Sequence, residues 1–184
     1  MIAQPPPSRI RKTNDEFFAL PETIRIVELL DGEVIEMPPP TTDHQAVSTN
    51  LIVLLHGLIP DGRLFHAPTD VVFEEGYVPQ PDIIWVAAGS PCIIEKKRLL
   101  GSPELLVEIL SPSTEATDRG EKYALYERHG VREYWIVNPE QRFVELYAHD
   151  GRRFIRAGIY TAGRVEEFES PLLGKSVPVA SIFG

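Results

Sequence analysis

The chain of 184 residues is long enough for one domain with a real core and short for two. Eighteen Lys and Arg against 27 Asp and Glu give a formal charge of −9, so the overall charge does not advertise a broad nucleic-acid surface. The single cysteine, Cys92, excludes an internal disulfide and any multi-Cys metal site, and fits a reducing compartment.

The first dozen residues, MIAQPPPSRIRK, lack the apolar core of a signal peptide and read as the start of a flexible lead-in over residues 1–15. No apolar run reaches the roughly 18 residues of a membrane span, so the expectation is a cytoplasmic chain with no membrane partner. Two strand-like runs, Ile24–Leu30 and Glu33–Met37, flank Asp31-Gly32. That pair is a strong hairpin signal, because both turn positions require positive φ. Pro38-Pro39-Pro40 stops the second strand.

From Asp43 to Ile59 the apolar residues Val47, Leu51, Leu54 or Leu55, and Leu58 recur at helical spacing. Thr42 or Asp43 can cap the start, His44 lies in the first turn, and Gly57 with Pro60 marks the end. Strand-like sequence resumes over Gly62–Glu74. Pro79-Gln80-Pro81-Asp82 then leads into Ile83-Ile84-Trp85-Val86-Ala87, an uninterrupted apolar run with the carboxylate of Asp82 at its mouth. Ala88–Ser102 reads as a loop with room for a short helix.

Leu105–Leu110 is a second apolar run, and Glu108 stands in its middle. Such a run reads as a strand buried on both faces. An ionised carboxylate there is costly unless it is paired, hydrogen-bonded or bound to a metal. After Ser111-Pro112-Ser113-Thr114 a helix is expected from Thr117 or Asp118 to His129, with Gly130 placed to end it. Glu133–Val137 follows as a strand. Phe143–Ala148 and Arg153–Tyr160 pair through a second Asp-Gly turn at Asp150-Gly151, and Val165–Phe168 is a last candidate strand. With no repeat and no linker, residues 16–184 read as one α/β domain around a mixed sheet.

Asp82, Glu108 and Lys122 are the residues in which chemistry concentrates. Two carboxylates on neighbouring strands make an oxygen-rich pocket suited to a hard cation such as Mg²⁺. Lys122 shares a helix face with Leu125 and Tyr126, which turns it toward the sheet. The bland alternatives are a turn role for Asp82 and a surface ion pair of Lys122 with Asp118, one helical turn away. Glu108 is the hardest of the three to dismiss, since a strand-centre carboxylate needs a partner. The basic groups Arg9/Arg11/Lys12, Lys96/Lys97/Arg98 and Arg152/Arg153/Arg156 read as solvated faces.

The ordered set Gln80-Pro81-Asp82-Ile83, VEILSPST at 107–114, DRGEKYALY at 118–126 and GVREYWIVNP at 130–139, with DGEVIEM at 31–37 and His44, resembles the Uma-two family. That family is restriction-endonuclease-like and belongs to the PD-(D/E)XK nuclease superfamily; the resemblance covers roughly residues 25–155. It implies a central mixed sheet flanked by helices, with added hairpins, and a Mg²⁺-dependent phosphodiesterase site in which Mn²⁺ substitutes. Asp82 and Glu108 would be metal ligands, and Glu33 and His44 match supporting positions. Where the superfamily pattern has its lysine, two residues after Glu108, this chain has Leu110. The resemblance places that lysine on the following helix, at Lys122.

The expected function is a DNA endonuclease, in which a homodimer would cut both strands. Its rivals are an inactive relative acting as a binding or regulatory module, and a hydrolase of small phosphorylated substrates.

Overall fold

The structure, a computed structural model, describes residues 11–21 and 26–184. In chain order it runs α1 (Asn14–Phe18), β1 (Val27–Leu30), β2 (Glu33–Glu36), α2 (Thr42–Leu58), β3 (Arg63–His66), β4 (Asp70–Val72), β5 (Ile83–Val86), β6 (Ile93–Ile94), β7 (Arg98–Leu100) and β8 (Leu105–Ile109). Then come α3 (Glu115–Thr117), a π-helical turn (Asp118–Lys122), α4 (Tyr123–Arg128), β9 (Glu133–Asn138), β10 (Phe143–His149), β11 (Phe154–Thr161), β12 (Glu167–Ser170), β13 (Lys175–Pro178) and α5 (Ala180–Phe183).

Six strands form the central sheet in the order β11-β10-β9-β8-β5-β3. Only the β8–β9 contact is parallel; the other neighbours are antiparallel. The sheet is therefore mixed, as the sequence implied. Its parallel step is crossed by the segment from Glu115 to Arg128, the helical connection that parallel neighbours require.

Alternation along the strands builds a core on each face. Leu105, Val107 and Ile109 of β8 join Trp135 and Val137 of β9 on one side, where Val47, Leu51 and Leu55 of α2 and Ile182 of α5 cover them. Leu106 and Leu110 face the other side with Ile84, Tyr134 and Ile136, beneath Leu125 and Tyr126 of α4. Both β5 and β8 are buried along their whole length, which is why they read as unbroken apolar runs. Each fully buried Leu or Ile contributes about 1.5–3 kcal/mol.

The hairpins sit outside this sheet. Asp31 and Gly32 both take positive φ, 47° and 75°, so the β1–β2 turn is of the kind their sequence demands. Gly130, at φ 70°, follows the last residue of α4's cap in the same left-handed region. The helix over residues 42–58 is capped by Thr41, whose side chain accepts from the His44 N–H at 3.2 Å.

Several expectations need correction. From Lys12 onward the anticipated lead-in is tied down: Lys12 N–H donates to the Gly32 carbonyl, and Asn14 bonds Glu74, Glu75 and Gly76. Residues 1–10, and the start of the strand expected at Ile24, lie outside the described residues. The run 62–74 divides into β3 and β4, because Pro68 between them supplies no N–H to a ladder. No helix forms between residues 88 and 102; that stretch makes β6 and β7, which pair with β4 in a three-stranded sheet. The last expected strand becomes β12, paired with β13, which periodicity did not disclose.

A buried carboxylate fixes that last hairpin. Glu133 at the start of β9 accepts from Trp135 Nε1 at 2.6 Å, Ser170 Oγ at 2.6 Å and the Leu172 N–H at 2.9 Å. Burial pushes its carboxyl above the usual range, and these three donors oppose that shift. Replacing Glu133 with Ala strands all three donors in the interior, each at about 1 kcal/mol or more. Urea unfolding is expected to show a loss of about 3 kcal/mol. Amide exchange is expected to quicken first across residues 167–178.

Candidate active site

The register of β5 on β8 pairs Ile83 with Val107, and one further step sets Asp82 opposite Glu108. Both carboxylates lie on the face that carries Ile84, Leu106 and Leu110. Asp82 is aligned by the backbone it faces: its Oδ2 accepts from the Ile109 N–H at 2.7 Å. Its Oδ1 stands 3.2 Å from His44 Nε2, which reaches in from the first turn of α2. Burial lowers the His44 pKa, but the hydrogen bond and charge of Asp82 outweigh it and leave the imidazole raised.

Lys122 enters from the opposite layer and is 2% exposed. Its Nζ lies 2.9 Å from Glu28 Oε1, 3.2 Å from Glu108 Oε1 and 3.4 Å from Asp118 Oδ1. The Tyr126 hydroxyl donates to the same Glu108 oxygen at 2.7 Å. Lys122 and Tyr126 are four residues apart and meet Glu108 together, one turn above the other.

The backbone that brings Lys122 there is a π-helical turn from Asp118 to Lys122, a feature that concentrates at functional sites. Gly120 lies within it, and the buried Tyr134 hydroxyl donates to the Asp118 carbonyl at 3.0 Å. The bland alternative of a surface ion pair between Asp118 and Lys122 is thus not what the fold contains. The pair is present, but both side chains are about 2% exposed.

One ammonium among three carboxylates has a definite electrostatic consequence. Burial disfavours the charged lysine, yet Glu108, Glu28 and Asp118 together hold it well above its ordinary value. Burial raises the Glu108 carboxyl well above the usual range; Lys122 opposes this, and Asp118, Asp82 and Glu28 add to it. Asp118 is raised chiefly by burial as well. The cation is over-compensated, and the surplus negative charge falls on the carboxyls.

That surplus bears on metal binding. The donors are oxygens; Glu28 Oε2 is buried without a hydrogen-bond partner, and Asp118 Oδ1 meets the Lys122 ammonium at 3.4 Å. In charge and hardness the set suits a divalent cation. Among the described residues, however, no three His, Cys, Asp or Glu side chains are arranged to hold a metal ion. Asp82 and Glu108 could supply two ligands, and Mg²⁺ commonly takes one or two carboxylates with water and substrate oxygens completing its shell.

Of the residues singled out from sequence, the fold sets His44 against Asp82 and Lys122 against Glu108, with Asp82 one register step from the strand pairing that carries Glu108. Glu33 lies next to the turn of the β1–β2 hairpin, where its charge is felt by Glu121. Glu28, from the other strand of that hairpin, meets Lys122. Sequence reasoning passed over Glu28, Tyr126 and the structural part of Asp118. Glu28 carried the same signal as Glu108, a carboxylate inside the apolar run Ile26-Val27-Glu28-Leu29-Leu30.

Lys122→Met removes the counter-ion of three buried carboxylates. A loss of about 3–5 kcal/mol is expected at pH 7 by chemical denaturation. The raised carboxyls bind protons more readily folded than unfolded, so their contribution to stability falls as pH rises through their folded pKa. The deficit of Lys122→Met is accordingly expected to shrink as pH is lowered toward 5; a deficit that grows on acidification contradicts this electrostatic account.

The family model for Uma2, described as "Putative restriction endonuclease", matches residues 14–180. An uncharacterised protein of Synechocystis sp. is 29% identical over 125 residues, covering 65% of this chain. The chain spans 64% of the length of that relative. In three dimensions the chain is similar to a protein of Anabaena variabilis described as a putative nuclease belonging to DUF820. That likeness covers 93% of this chain and 97% of the other, with a TM-score of 0.76 at 21% identity, and shows a shared fold. With the family model covering most of its length, the chain belongs to the Uma2 family of putative restriction endonucleases.

Proposed function

We propose that the chain is a divalent-metal-dependent endonuclease that hydrolyses DNA phosphodiester bonds. The observation that supports this most is the pair of carboxylates, Asp82 just before β5 and Glu108 on the adjoining β8, with Lys122 Nζ 3.2 Å from Glu108 Oε1. Asp82 and Glu108 would hold Mg²⁺, or Mn²⁺ in its place. When bound, such an ion polarises a phosphate oxygen and lowers the pKa of a water in its shell.

The remaining roles belong to the chain. The Ile109 N–H fixes one oxygen of Asp82, leaving the other toward His44. Tyr126 and Lys122 both donate to Glu108 Oε1 and hold the carboxylate in one orientation. Lys122 is kept protonated by its carboxylates, ready to stabilise negative charge developing on the phosphoryl group. His44 Nε2 donates a hydrogen bond to Asp82 Oδ1 and supports its placement. Because each chain carries one such site, cutting both strands of a duplex calls for two chains. The free edges of the central sheet, β3 and β11, are where a homodimer would form.

A second reading, a nuclease fold kept for binding alone, is favoured by one specific observation. Lys122 Nζ is engaged by three carboxylates, so a cation already stands beside Glu108 where a metal would bind.

Two measurements separate the readings. Plasmid and single-stranded DNA are expected to be cut with Mg²⁺ or Mn²⁺, with Asp82→Ala and Glu108→Gln each slower by about 100-fold or more. Cleavage of neither DNA with either ion, or cleavage indifferent to both substitutions, overturns the endonuclease. Activity confined to small phosphodiesters moves the substrate class instead. In calorimetric titration Mn²⁺ is expected to fill a saturable site that Asp82→Ala abolishes; heat of dilution alone supports the binding module.

A further inference from the structure

Glu28 is 1% exposed and lies in β1, outside the central sheet. Its Oε1 does two things at once. It makes the shortest of the three contacts to Lys122 Nζ, at 2.9 Å, and it accepts the backbone N–H of Gln80 at 2.7 Å. Gln80 stands two residues before Asp82. A single carboxylate oxygen thus ties the lysine-bearing turn to the segment that delivers the aspartate. The hairpin bearing Glu28 is pinned in its turn, since Leu29 and Val78 exchange both backbone hydrogen bonds, at 3.1 and 2.7 Å.

Building on the endonuclease reading, we propose that Glu28 is a positioning residue of the active site, which sets the Lys122 ammonium against Glu108 and locks the Gln80–Asp82 approach to the same point. Glu28 acts through Lys122 rather than on the substrate. Without it, Nζ retains Glu108 and Asp118, which lie on β8 and on the lysine's own helical segment. Glu28 differs from those two in accepting a backbone hydrogen bond from the segment that leads to Asp82.

The geometry supplies a clean variant. Glu28 Oε2 is buried with no hydrogen-bond partner, so in Glu28→Gln the amide oxygen can take the Gln80 N–H while the NH₂ group occupies the unpartnered side. The change removes a charge and no hydrogen bond to the backbone. Lys122 keeps two carboxylates, so the fold is expected to survive, as a melt will show. Glu28→Asp, which retains the charge but is one methylene shorter, is the companion should the glutamine form fail to fold.

Four readouts test the role. In Glu28→Gln, kcat is expected to fall on the order of 10- to 100-fold with KM unchanged. The Mn²⁺ dissociation constant by titration is expected to stay within about threefold of wild type, a bound chosen to exclude loss of a ligand. The double variant Glu28→Gln/Lys122→Met is expected to be no slower than Lys122→Met alone, because both changes break one arrangement. Independent of turnover, reductive methylation read by mass spectrometry is expected to spare Lys122 in wild type and to label it in Glu28→Gln.

An unchanged kcat, a large loss of Mn²⁺ affinity, or additive effects in the double variant overturns the positioning role. If wild-type protein cuts nothing, the endonuclease reading fails; the labelling of Lys122 then still decides whether Glu28 holds it.

Discussion

Everything in this molecule near the sheet's centre is arranged around a buried ammonium. Moving a lysine out of water costs several kcal/mol even after the protein relaxes, and moving carboxylates costs as much for each one. Lys122 therefore obliges the fold to deliver Glu108, Glu28 and Asp118 to within 3.4 Å. Those three come from a central strand, a peripheral hairpin and the turn that bears the lysine. The cluster is a registry device: it can form only when all three elements are docked, so it couples the N-terminal hairpin to the sheet more specifically than apolar contacts alone do.

The sheet supplies the other half of that constraint. β5 and β8 are buried throughout, so neither can slip by one residue without turning Asp82 and Glu108 to the wrong face. Their antiparallel register holds the two carboxylates side by side, and the parallel step to β9 forces the chain to cross over as a helical segment. That crossover is what returns Lys122 to the strand that displayed Glu108. Topology, more than any local preference, explains how a lysine fourteen residues downstream of Glu108 comes to face it.

Most of the sheet was legible because its signals are local. The unbroken apolar runs at β5 and β8, the Asp31-Gly32 turn and the Gly130 stop each follow from backbone sterics and burial acting over a few residues. The site was legible in part for the same reason: a carboxylate inside an apolar run advertises a missing partner, and Glu108 did so. What stayed hidden was set by tertiary contact. Glu28 gave the identical signal, yet the DGEVIEM resemblance drew attention to Glu33 instead. The π-helical turn is invisible to periodicity because it inserts its irregularity over a single turn, where Tyr134 takes the Asp118 carbonyl. β13 and the Glu133 clamp depend on donors 37 and 39 residues away, beyond the reach of any window.

The acidic balance of the chain acquires a meaning once the site is included. A charge of −9 repels a polyanion at a distance, and the carboxyl groups that outnumber Lys122 three to one do not attract a phosphate at contact. Under the proposed function, the same surplus that makes the pocket inhospitable to phosphate makes it attractive to a divalent cation. Cation and nucleic acid then stand in thermodynamic linkage: each improves the site for the other by an equal free energy. Lys122 alone supplies one positive charge among three carboxyl groups, of which burial holds Glu108 and Asp118 above their usual range. Under that proposal the affinity of an acidic chain for DNA would be set by the cation, where a basic nuclease would rely on its surface.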